Sequence, residues 1–96
     1  MKVCKVIGTV VSTNKEEKIK GFKLLIVQPV DMFELKPEGS PLVAIDAVGA
    51  GEGEIVLVVA GSSARLTAMT KDRPSDATIC AIIDYITIEG KQTFEK

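Results

Sequence analysis

The chain has no histidine at all, and with it goes the side chain most often used as a general base near neutral pH and the commonest zinc ligand. It is equally short of cysteine: Cys4 and Cys80 stand far apart, each inside an apolar run, with no CxxC pair. They are read as buried free thiols, and no metal site or cofactor is expected. Aromatic residues make up only 4% of the sequence, so stacking platforms for single-stranded nucleic acid are scarce. Charge of one sign is also missing, because 12 Lys and Arg against 13 Asp and Glu leave a formal net charge of −1. No long-range field attracts nucleic acid or an anionic membrane. No stretch approaches the roughly 20 apolar residues of a membrane span, and Met1–Lys5 enters an alternating pattern without a signal-peptide plateau. A cytoplasmic location, with neither membrane nor nucleic acid as partner, is the expectation.

What is present is aliphatic. Hydrophobic residues reach 46% with few rings among them, so the core must be built from Val, Ile, Leu and Ala, a composition that favours strands. A chain of 96 residues reads as one domain, residues 1–96, and one this small gains from burying further surface through assembly. Val3–Thr13 alternates as a long strand with a bend or close approach expected at Gly8. Asn14–Gly21 is a solvated charged loop. Phe22–Gln28 is a second strand, apolar on both faces and so in want of cover from a neighbouring subunit. Val30–Ser40, with Pro37-Glu38-Gly39, is a connection. Leu42–Val48 and Ile55–Ala60 are strands three and four, Ser62–Thr70 a short serine-capped helix, and Thr78–Glu89 the last strand, with a polar, mobile end over Gly90–Lys96. The architecture expected is all-β with one short helix: a five-stranded OB-like antiparallel β-barrel.

The motifs that suggest chemistry fail one by one. Gly49, Ala50, Gly51, Glu52 and Gly53 form a glycine-rich knot, but Glu54 takes the third glycine position of a dinucleotide fingerprint, and a strand rather than a helix follows. A phosphate held by helix-terminal amides would also meet two glutamates. A sharp hairpin connection is the simpler reading, with Gly51 at a positive dihedral, so that Gly51→Val should disrupt assembly. Ser62-Ser63 after Gly61 is half of a nucleophile elbow without its second glycine or a base, and Ser12–Lys15 matches Ser-x-x-Lys by chance. Asp46 and Asp84 lie within apolar strands, where a carboxylate needs a partner; Arg65 is the natural candidate, in a structural or inter-subunit ion pair. No catalytic residue is named and no enzyme is expected.

The block Val43–Val58, VAIDAVGAGEGEIVLV, followed by Gly61-Ser62-Ser63-Ala64-Arg65, closely resembles the signature of the EutN/CcmL family of bacterial microcompartment vertex proteins. Val6, Gly8, Val10, Val11 and Thr13 of the opening strand and the Leu24–Pro29 segment extend the resemblance over nearly the whole chain. It implies a structural shell protein of a carboxysome or metabolosome, an OB-like barrel assembled as a cyclic homo-pentamer that caps the vertices between hexameric shell proteins. It also implies that Gly49, Ala50, Gly51, Glu52 and Gly53 form a loop at the pore or axis, and that Asp46, Ser62, Ser63 and Arg65 lie at the subunit interface. Arg65→Ala should then weaken assembly more than folding. The alternative is a small OB-like ligand- or nucleic-acid-binding module.

Overall fold

A computed structural model describes residues 1–11, 22–60 and 77–96. Strands β1 (Lys2–Val10), β2 (Lys23–Pro29), β3 (Leu42–Asp46), β4 (Ile55–Ala60) and β5 (Ala77–Ile82) close into a barrel in the order β1-β2-β3-β5-β4, with β4 returning to β1. Strands β6 (Tyr85–Ile88) and β7 (Lys91–Glu95) form a separate two-stranded sheet. No helix occurs among the described residues; the expected helix at Ser62–Thr70 and the Asn14–Gly21 loop lie outside them.

The barrel interior follows from the two-residue period of a strand. Cys4 and Val6 of β1, Leu25 and Val27 of β2, Ala44 of β3, Val56 and Val58 of β4, and Ala77 and Ile79 of β5 join one buried cluster. None carries a ring, so the lumen is filled by small aliphatic side chains together with the Cys4 thiol. Burial raises the Cys4 thiol above its ordinary range, which makes it a poor nucleophile. The bend expected at Gly8 is a β-bulge: the β1–β2 register slips between Val6, opposite Val27, and Gly8, opposite Ile26. A Cβ at Gly8 would meet the Ile26 side chain at 3.3 Å, so the missing side chain also lets the two strands close up.

Four features differ from the expectation. The barrel is mixed, because β3 and β5 run parallel, Ile45 opposite Thr78 and Asp46 opposite Ile79. Strands β3 and β4 are not neighbours, so the glycine knot between them is a crossover at the barrel end and not a hairpin turn. The last strand breaks at Ile83 and Asp84: the Ile83 amide makes a final bond to the Ile55 carbonyl at 2.8 Å, after which the chain leaves the barrel. The tail is ordered as β7, turned back onto β6 by Glu89 and Gly90, whose φ values of 51° and 79° give the doubly positive turn that suits the twist of a hairpin.

Candidate functional site: the glycine loop and the apolar outer surface

Asp46 is the last residue of β3, where the chain must leave the sheet and supply new partners for its amides. Its Oδ1 accepts the Val48 and Gly49 amides, both at 3.0 Å, an Asx-type cap that turns the backbone out of the strand. Lys23, opposite it across the β2–β3 pair, stands 3.6 Å from Oδ2 and also donates to the Ala50 carbonyl at 2.8 Å. The Asp46 side chain is only 2% exposed, so the lysine and two amides are what make burial of this carboxylate tolerable. These three partners all come from the same subunit as Asp46. Lys23 escaped sequence reading because the pairing becomes visible only once the β2–β3 register is known. Arg65, the partner expected there, lies outside the described residues, as do Ser62 and Ser63.

Gly49 and Gly53 adopt φ values of 79° and 90°, so the loop turns at these two glycines and not at Gly51. Gly51 is needed differently: its amide donates to Glu54 Oε1 at 2.7 Å, and the Glu54 amide returns a bond to the Gly51 carbonyl. Ala50 is fully buried and joins the barrel cluster, so the loop drops a methyl group into the core while Gly49, Glu52 and Gly53 face solvent. The Gly53 amide and Glu54 carbonyl bond to Val6 at 2.8 and 2.9 Å, tying the far end of the loop to β1. Glu54 is also paired with Lys96 at 3.0 Å, and that ammonium, with the Gly51 amide, holds its carboxyl below the usual glutamate range. Neither Glu54 nor Lys96 is recognisable from sequence, because the contact joins two segments distant along the chain. Asp84, the other acid expected within a strand, is exposed between β5 and β6.

No group of three or more His, Cys, Asp or Glu side chains gathers as a metal would require among the described residues. What the surface does offer is apolar area. Ile26 of β2 is flanked across the sheet by Gly8 and by Val43, and with Ile7 and Val43 about half exposed these residues form an apolar band on the outside of the barrel. A separate groove of about 580 Å³ runs along Met1, Val3, Val30, Met32 and Leu57. Beside it the Asp31–Lys36 loop holds Phe33 out at 66% exposure. That loop is stiff: Asp31 accepts the Phe33, Glu34 and Lys36 amides at 2.7–3.0 Å, which lowers its pKa, and Leu35 is held at a φ of 59°.

The sequence model of the family described as "Ethanolamine utilisation protein EutN/carboxysome" matches residues 1–84. The carboxysome shell vertex protein CcmL of Synechococcus elongatus is 43% identical over an alignment covering 100% of this chain and 96% of that protein. The solved structure of CcmL from Nostoc sp. PCC 7120 superposes with a TM-score of 0.92 at 44% identity, covering 100% of both chains. GrpN of Rhodospirillum rubrum, a pentameric microcompartment shell protein, superposes with a TM-score of 0.82 at 46% identity, covering 92% of this chain and 99% of its own. Matched in sequence from its first strand through β5 and in fold from end to end, the chain belongs to the EutN/CcmL family.

Proposed function

We propose that the protein is a structural component of a bacterial microcompartment shell, a homo-pentamer that caps the vertices where flat layers of hexameric shell proteins meet. It acts by geometry and not by catalysis, and its place is the shell, in the cytoplasm. The observation that supports this reading is that a protein related over the full length of the chain is a shell vertex protein, and that another, related over 92% of it, has a pentameric structure. The surface agrees in kind. A cyclic ring needs two unlike patches on each subunit, one for each neighbour, and the outer band around Ile26 and the groove beside Met32 are two such apolar patches. In the ring, Gly49, Ala50, Gly51, Glu52 and Gly53 are assigned to the axis, and Asp46, Ser62, Ser63 and Arg65 to the subunit boundary.

Native mass spectrometry tests the ring and electron microscopy of reconstituted shells tests its place. A five-fold mass, and shells that stay open at their corners when this chain is left out, are the expected results. A monomer that binds single-stranded nucleic acid in a salt-sensitive manner would replace this reading with that of a binding module.

A further inference from the structure

The glycine loop is fastened at its two ends to different parts of the molecule. At its start, Asp46 draws its cation, Lys23, from β2, a strand of the closed barrel. At its far end, Glu54 draws its cation, Lys96, from the end of the β6–β7 hairpin, which pairs with no barrel strand. Glu54 is a two-sided connector: Oε2 faces the ammonium at 3.0 Å while Oε1 accepts the Gly51 amide at 2.7 Å. Lys96 is itself bound into the hairpin, its amide donating to the Asp84 carbonyl at 2.8 Å. The hairpin's other side-chain tie among the described residues is the Thr93 hydroxyl, which donates to the Met32 carbonyl at 2.7 Å. Among the described residues, these two side-chain ties join the hairpin to the rest of the chain, and a two-stranded sheet has little stability of its own.

We propose that the C-terminal hairpin sets the conformation of the glycine loop through Lys96 and Glu54, so that Lys96 is a positioning residue for Gly51. The carboxylate has two oxygens committed to two partners. When the hairpin carries the ammonium away, the side chain gains freedom to rotate and the Gly51 amide loses its acceptor for a larger share of the time. The Lys23–Asp46 clamp keeps both its members on the barrel, with Lys23 close enough to Glu54 to favour its charged form as well. The coupling lies within one subunit. Its use in the assembled ring, where a neighbour pressing on the hairpin would reset the axial loop, rests on the function proposed above.

Amide exchange followed by NMR on the full chain tests the coupling, with the Val56 amide of β4 as reference for global opening. Lys96→Met is expected to speed Gly51 exchange about threefold relative to Val56, the size of a half-exposed ion pair. Glu54→Ala, which removes the acceptor itself, is expected to speed it about tenfold. The double variant Glu54→Lys with Lys96→Glu is expected to keep the residue-96 amide protected while Gly51 stays fast, since a lysine at 54 has nothing to accept with. In the unaltered protein, 1 M salt is expected to reproduce the Lys96→Met effect. The proposal is overturned if Lys96→Met leaves Gly51 unchanged while Glu54→Ala accelerates it, because Glu54 then caps the loop without reference to the hairpin. Equal acceleration of Gly51 and Val56 also overturns it. Native mass of the same samples is read separately: a monomer would remove the ring while leaving the exchange comparison intact.

Discussion

Replacing Asp46 by alanine removes the acceptor of two amides and leaves Lys23 without its carboxylate, all at the point where β3 ends. A loss of about 2 kcal/mol is expected, read from the urea midpoint at constant slope. Asp46→Asn keeps an oxygen for both amides and should lose about half as much; equal losses in the two variants would mean that the cap is not what holds the loop. Two other carboxylates make stability depend on acid. The folded pKa of Asp31 lies below its ordinary 3.8, and that of Glu54 below its ordinary 4.5. In that window the unfolded chain binds more protons than the folded one, so stability is complete above the ordinary values and drains away as pH falls through the lowered ones. Urea titrations between pH 6 and pH 2.5 should show this fall, and Asp31→Asn with Glu54→Gln should flatten it. A slope that survives both substitutions would place the acid sensitivity elsewhere. Lys96 has the opposite sign: its pKa is raised above 10.5 by Glu54, so its contribution is present below that value and disappears as pH climbs through the folded one.

At the scale of elements the glycine loop separates two uses of the same residue. Gly53 sits at a φ of 90° with open space around its missing Cβ, so Gly53→Val is costly for backbone reasons alone, about 2 kcal/mol. Gly51 has an ordinary φ, and a Cβ there would meet Glu54 Oε1 at a comfortable 3.6 Å, so Gly51→Ala should cost less than about 1 kcal/mol. Thermal melts of the two variants check the ordering, and the reverse order would contradict the loop geometry. Local pattern made most of the barrel readable: alternation located the first strand, an apolar run ended by Pro29 the second, Gly8 marked the bulge, and the apolar runs on either side of the glycines marked β3 and β4. What stayed hidden is non-local. That β5 inserts between β3 and β4, turning an apparent hairpin into a crossover, depends on pairings among strands well separated in sequence, and nothing within any one strand records them. The β6–β7 hairpin hid for another reason, since polar residues from Lys91 to Lys96 read as a solvated tail although Glu89-Gly90 forms its turn. The loop acids were half legible. Asp46 stood out as a charge in an apolar strand, but its partner, and the pairing of Glu54 with Lys96, appear only when the chain is folded.

At the scale of the whole molecule the outer band is the place to break assembly without breaking the barrel. Val43 is 49% exposed and Ile7 48%, so a charge at either position costs the monomer little, while the same charge buried against a neighbour must be desolvated without a partner. Val43→Glu is expected to shift native mass from pentamer to monomer, weakening association by tenfold or more, with the far-ultraviolet circular dichroism of the barrel unchanged. A pentamer of undiminished stability would remove this face from the interface.

Closure of the barrel also limits how the protein can aggregate. Among the described residues the five strands join in a circle, so each has a neighbour on both sides and none stands as a lone sheet edge onto which a further strand could add along its whole length. The open edges among the described residues belong to β6 and β7, only 4 and 5 residues long, too short to template a growing sheet. In the proposed ring, copies of this chain meet through side chains whose shapes fix an angle. Contacts of that kind can stop at a definite number of subunits, whereas strand addition has no natural end, and a part made to fill one corner has to be finite.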